Sequence, residues 1–176
     1  FDFGGEWPSI TLYGSLSDVV GRELTVDTPM AELVALAERH GVGVAPHYGP
    51  GKLAEELFDE LVRPDLISPT FVRDYPTETS PLTRDHRDRP GLAEKWDLYI
   101  RGTEMGTGYS ELVDPVIQRE RFVDQARFAG LGDDEAMVLD EEFLRAMEYA
   151  MPPSGGMGMG VDRLIMALTG LGIRET

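Results

Sequence analysis

Apolar positions change rhythm about a third of the way along the chain. Met30, Leu33, Val34, Leu36 and Ala37 recur at three-and-four spacing after Asp27-Thr28-Pro29 and stop at Gly41, the pattern of one helix face. Pro50-Gly51-Lys52 opens a second helix with Leu53, Leu57, Leu61 and Val62 on one side. Residues 14–66 therefore read as helical, after an extended segment over residues 1–13 that carries Trp7-Pro8 and Ile10-Thr11-Leu12-Tyr13. From Pro69 the texture is strand-like. Thr70 to Tyr75 is stopped by Pro76, and Trp96 to Ile100 and Thr103 to Leu112 flank Arg101-Gly102 as a hairpin. Asp114-Pro115 starts a helix, Asp140 caps another running to Tyr149, and a last helix begins near Asp162 beyond Pro152-Pro153. No internal repeat is present. Antiparallel strands interleaved with helices predict an α+β fold, an antiparallel sheet with flanking helices, rather than a parallel wound sheet.

The stretch Gly155-Gly156-Met157-Gly158-Met159-Gly160-Val161-Asp162-Arg163 has glycine at alternate positions, then an apolar run from Leu164 to Leu168. A strand of this kind has one bare face, on which a flat ligand can lie against backbone. The helix N-terminus and the Arg163 guanidinium at its end suit an aromatic, phosphorylated ligand. The G-x-G-x-G spacing is neither the dinucleotide fingerprint nor a P-loop, which would end in Gly-Lys-Ser/Thr. The plain alternative is close packing of a strand beside a helix. Met157 and Met159 read as packing on the strand's covered face.

The hairpin places acids. With a two-residue loop at Arg101-Gly102, Tyr99 sits opposite Glu104, and Asp97 shares their face, diagonal to Glu104. Two carboxylates so placed can hold Mg²⁺ with phosphate oxygens completing its shell. A three-residue loop would separate them. Glu111 has the opposite parity, and a bulge near Gly106 and Gly108 would bring Glu104, Tyr109 and Glu111 to one cleft. The competing reading is an edge hairpin with solvated acids.

Charge narrows the partners. The 176 residues carry 32 acidic and 16 basic side chains, a net charge of -16, which opposes gripping nucleic acid through a bulk field. With no cysteine there is neither a disulfide nor a thiolate metal site, and a reducing cytosol is the expected compartment. No apolar run reaches membrane-span length and no signal peptide is visible. Opening at Phe1 and ending at Arg174-Glu175-Thr176, the chain reads as a piece of something longer. His40, His47 and His86 lack metal spacing and read as structural or exposed. The mixed-sign run Arg84 to Arg89 reads as a solvated loop.

Together, Thr70-Phe71-Val72-Arg73-Asp74-Tyr75-Pro76, Ser80-Pro81-Leu82, Gly102 to Leu112, Gly132-Asp133-Asp134-Glu135-Ala136 and Gly156 to Arg163 resemble the C-terminal part of the catalytic domain of class II lysyl-tRNA synthetases. The resemblance is strong over about residues 66–176. It implies that residues 1–13 lead into the catalytic domain, that 14–66 are the family's helical insertion, and that 67–176 are the C-terminal part with motif 3. It implies ATP as substrate and Mg²⁺ as cofactor. Arg163 then matches the motif 3 arginine that stacks on adenine, with Gly158 and Gly160 also in the ATP site. Asp97 and Glu104 match the acidic positions for Mg²⁺ and phosphates, with Asp97 where Glu is common. Glu111 matches the carboxylate that receives the lysine ε-ammonium, Tyr109 an aromatic of that pocket, and Thr107 stands where asparagine is usual, its hydroxyl a partial substitute for the amide.

The implied reaction is activation of lysine to lysyl-adenylate and transfer to tRNA(Lys), through regions not matched here, by a parent homodimer. Motifs 1 and 2 and the anticodon-binding barrel have no counterpart in the chain, so the isolated piece is expected to be inactive. The Thr107 form and the run Glu111 to Arg121 look most like the synthetase half of actinobacterial bifunctional lysylphosphatidylglycerol-forming proteins, which would add a membrane lysyltransferase module and membrane association. A lysyltransferase paralogue acting on a translation factor and a non-catalytic interaction domain are the competing readings.

Overall fold

The computed structural model describes residues 3–132 and 136–176. Asp133, Asp134 and Glu135, within one of the resembling stretches, lie outside the described residues. One sheet runs in the order β1 (Ser9–Thr11), β2 (Thr70–Arg73), β3 (Lys95–Ile100), β4 (Thr103–Ser110), β5 (Gly155–Met159). The helices are α1 (Leu12–Val20), α2 (Met30–His40), α3 (Pro50–Leu61), α4 (Pro115–Gly130), α5 (Glu141–Met147) and α6 (Val161–Thr169). The fold is α+β, with one departure from the expected sheet. β1 pairs with β2 in parallel, and the other three pairings are antiparallel. The helical excursion α1–α3 separates the two strands, long enough for the crossover that parallel pairing requires.

Local chemistry sets the helix ends. Thr11 caps α1 by accepting from the Gly14 amide, and Gly41 closes α2 at φ 74°. Asp114 Oδ1 accepts from the amides of Val116 and Ile117 at the start of α4, and Asp140 caps α5 in the same way. α5 ends at Met147, two residues before the expected Tyr149.

The sheet is covered unevenly. Val72 and Tyr99 on one face join the main core with Leu12, Leu16, Leu33, Leu36, Leu53, Leu57 and Phe58 of α1–α3. On the opposite face, Phe71, Trp96, Leu98, Ile100 and Met105 pack with Trp7 and with Ala167 of α6. Burying these side chains stabilises the fold by about 1.5–3 kcal/mol each. Helices α1–α3 pack on the face of Val72 and Tyr99, and the edge strand β5 is exposed along its length.

Two surface expectations are corrected. Met157 and Met159 are 59% and 39% exposed, because α6 and Trp7 cover β3 and β4 and leave edge strand β5 bare. The run Arg84 to Arg89 is a loop, as expected, yet not simply solvated. Arg89 donates to buried Asp74 at 2.6 Å, and the His86 ring lies beside both.

Candidate functional site

The turn joining β3 to β4 has two residues, Arg101 at φ 52° and Gly102 at φ 68°, both left-handed as a tight hairpin turn needs. Tyr99 consequently pairs with Glu104. One step further the register shifts. Leu98 pairs with Gly106, so Met105 is the extra residue of a bulge and its side chain joins the core of the opposite face. The shift inverts the parity of the rest of β4, and Asp97 then pairs with Thr107 and Lys95 with Tyr109. Tyr99, Asp97, Lys95, Glu104, Thr107 and Tyr109 therefore occupy one face. Glu111 continues that parity just beyond β4, bridged to Thr83 and donating its amide to the Ser154 carbonyl.

β5 extends the face. Gly156 pairs with Tyr109 and Gly158 with Thr107, and a Cβ on either glycine would meet nothing within 4 Å. The glycines of β4 are bare on the other side. A Cβ at Gly108 would collide with the Trp96 indole, and one at Gly106 with the Gly158 carbonyl. So the β4 glycines serve internal packing, whereas those of β5 leave an open floor. Gly160 donates its amide to Met105 O and begins α6, and Arg163 lies against it, donating Nη1 to the Glu104 carbonyl at 2.8 Å. Arg163 and Glu111 thus mark the two ends of β4, about 20 Å apart at about 3.3 Å per residue.

The two acids differ in setting. Asp97 is 3% exposed and Glu104 is half-buried. Asp97 Oδ2 takes the Lys95 ammonium at 3.2 Å, while Oδ1 is buried with no hydrogen-bond partner. Burial raises the Tyr99 hydroxyl well above its ordinary value, with the charges of Asp97 and Glu104 adding to the effect. Burial also raises Tyr75, helped by Asp97. Among the described residues no group of three or more His, Cys, Asp or Glu side chains converges on a metal position. A buried carboxylate oxygen without a partner, on the face that Glu104 shares, nonetheless suits a cation whose remaining ligands come from a substrate.

At the Glu111 end, burial raises the Tyr109 hydroxyl, and the Glu111 carboxylate raises it further. Two clefts adjoin there and share Lys95 and Tyr109. One of about 400 Å³ includes Asp74, His86, Glu94 and Gly156, and one of about 210 Å³ includes Thr79 to Thr83, Thr107 and Met137. Ser80-Pro81-Leu82, to which the sequence assigned no chemistry, is a wall of the second cleft. It is pinned from α4, where Gln118 donates to Pro81 O and Arg121 to the carbonyls of Ser80 and Thr83.

Lys95, Tyr75 and Glu55 escaped the sequence reading. Lys95 was within reach, since it lies two residues before Asp97 on the same strand face. Glu55 comes from α3, accepts from the Thr79 hydroxyl at 2.5 Å, and has its pKa raised to about 7 by burial against the opposing pull of Thr79 and Lys95.

The family model for tRNA synthetases class II (D, K and N) matches residues 4–176. The chain belongs to this family. It is 64% identical over its whole length to the lysine--tRNA ligase of Kineococcus radiotolerans, covering 35% of that protein. Against the lysine--tRNA ligase of Mycolicibacterium gilvum it is 59% identical, again over its whole length, covering 36%. The lysylphosphatidylglycerol biosynthesis bifunctional protein LysX of Mycolicibacterium gilvum matches 99% of the chain at 50% identity, over 16% of its own length. The chain thus spans about a third of the lysine--tRNA ligases that it resembles. No helix among the described residues is long and apolar enough to cross a membrane.

Proposed function

We propose that this synthetase chain carries the lysine pocket and half of the ATP site of a lysine--tRNA ligase. The supporting observation is the face along β4, with the bare glycines of β5 beside Thr107 and Tyr109, Arg163 held on the Glu104 carbonyl at one end and a carboxylate next to an aromatic at the other. In this reading the adenine lies over Gly158 and Gly160 under Arg163, a planar cation suited to a π face. The phosphates cross toward Asp97 and Glu104, which would hold the Mg²⁺ that neutralises phosphate charge. The lysine side chain runs past Thr107 and Tyr109 to the Glu111 carboxylate, which pairs with its ammonium.

The two substrates then meet at mid-strand. A lysine carboxylate oxygen attacks the α-phosphorus, the bond to the β-phosphate bridging oxygen breaks, and pyrophosphate leaves. No protein nucleophile takes part, so the protein contributes positioning and charge stabilisation. The longer protein would pass the lysyl group to tRNA(Lys) as a cytoplasmic homodimer. Higher identity to the ligases than to the bifunctional protein supports this acceptor over a membrane lipid. The chain alone lacks the motif 2 arginine of the family and is expected to be inactive.

The test is a chimera in which this chain replaces the matching third of the Kineococcus ligase. Lysine-dependent ATP–pyrophosphate exchange should be present and fall about 100-fold or more with Glu111→Gln, which leaves a desolvated ammonium unpaired. Exchange indifferent to Glu111→Gln would refute the lysine pocket. A chimera that activates lysine but lysylates only a protein would favour the translation-factor paralogue, and one that activates nothing would favour a non-catalytic domain.

A further inference from the structure

Only two of the sixteen Lys and Arg residues are lysines, Lys52 and Lys95. Lys95 lines both clefts of the site. Its ammonium is 3.2 Å from Asp97 Oδ2 and 4.1 Å from the centroid of the Tyr75 ring. Asp97 is almost wholly buried, and its other oxygen has no partner. A charged group buried to this degree is costly unless it is paired.

We propose that Lys95 is an intramolecular counter-ion for Asp97 that orients this carboxylate before a divalent cation arrives, and that cation binding displaces the ammonium from Asp97 Oδ2 onto the face of Tyr75. Lys95 is thus a positioning residue that exchanges places with the metal. The proposal rests on the reading of Asp97 and Glu104 as the cation-holding pair. Two features carry it. The ammonium stands 3.2 Å from Asp97 Oδ2, so a divalent cation at this carboxylate meets a like charge already in place. Tyr75 offers a π face that retains the ammonium when the ion pair opens. Residue type matters too, in a chain that uses arginine almost everywhere. A guanidinium would clamp the carboxylate with a rigid fork, whereas an ammonium on a four-carbon stem is a point charge that can swing.

Because the chain has two lysines, labelling it with ¹³C-lysine yields two Cε signals, with Lys52, in its ion pair with Glu56 on α3, as internal control. Titration with Mg²⁺ alone should move the Lys95 signal saturably and leave Lys52 in place. Calorimetry should show Lys95→Met binding Mg²⁺ about tenfold more tightly, once one nearby competing charge is removed, and Lys95→Arg binding it more weakly. The titration needs no variant, so it stands even if Lys95→Met fails to fold. Saturable Mg²⁺ binding with an unmoved Lys95 signal, or with Lys95→Met no tighter than the parent, would overturn the exchange and leave the acidic pair standing. No saturable Mg²⁺ binding in any form would overturn both.

Discussion

Two glycines of the same residue type do opposite work in neighbouring strands. Gly108 is required by the Trp96 indole lying on it, so Gly108→Ala should destabilise the chain by about 1–3 kcal/mol. Gly158 faces open space, and Gly158→Val should change stability by less than about 1 kcal/mol because valine suits a strand. Urea unfolding followed by Trp fluorescence checks both. Composition alone could not separate these roles. The sequence showed which positions are bare, but only the bulge at Met105 decides which way each faces. Glu55 supplies a pH-dependent prediction. Its pKa is raised from 4.5 to about 7 in the fold, chiefly by burial. Its contribution to stability is full below about pH 4.5 and is lost as pH rises through about 7. Glu55→Gln keeps an acceptor for Thr79 and should remove that decline, so unfolding midpoints from pH 4 to pH 8 should lie flatter in the variant.

At the scale of elements, the hairpin was the most legible part. Gly102 marks a two-residue turn, and from that turn the shared face of Asp97 and Glu104 follows by parity alone. The bulge was foreseen near the β4 glycines and occurs immediately before Gly106. The parallel pairing of β1 with β2 was not legible, because it depends on how α1–α3 return across the sheet. The loop over residues 77–85 was also opaque. Its order comes from α4, whose Gln118, Arg121 and Gln125 donate to backbone carbonyls of Glu78, Pro81, Ser80 and Thr83. No local pattern announces such a cross-chain pin. Arg121→Met should therefore cost about 1–3 kcal/mol by leaving two carbonyls without their charged donor. It should also raise amide hydrogen exchange selectively over residues 79–83, which mass spectrometry of peptides from this loop would detect.

At the scale of the molecule, helices α1–α3 pack on one face of the sheet and the edge strand β5 is left as an exposed shelf. In the proposed reading the shelf lets an acidic chain take this ligand, with Glu111 and the Asp97–Glu104 pair meeting an ammonium and a metal ion and Arg163 facing the base. β5 also presents an unpaired edge flanked by exposed Met157 and Met159, so the purified chain is expected to self-associate with rising concentration. Met159→Lys should shift sedimentation toward the monomer. The central claim is that one face binds nucleotide at its Arg163 end and amine at its Glu111 end. It is tested most directly by the separate KM values for ATP and lysine in pyrophosphate exchange by the Kineococcus chimera. Arg163→Met should raise the KM for ATP tenfold or more while the lysine KM stays within about twofold, and Glu111→Gln should do the reverse. If both substitutions moved the two constants together, or if Arg163→Met moved neither, the shared-face account would be contradicted.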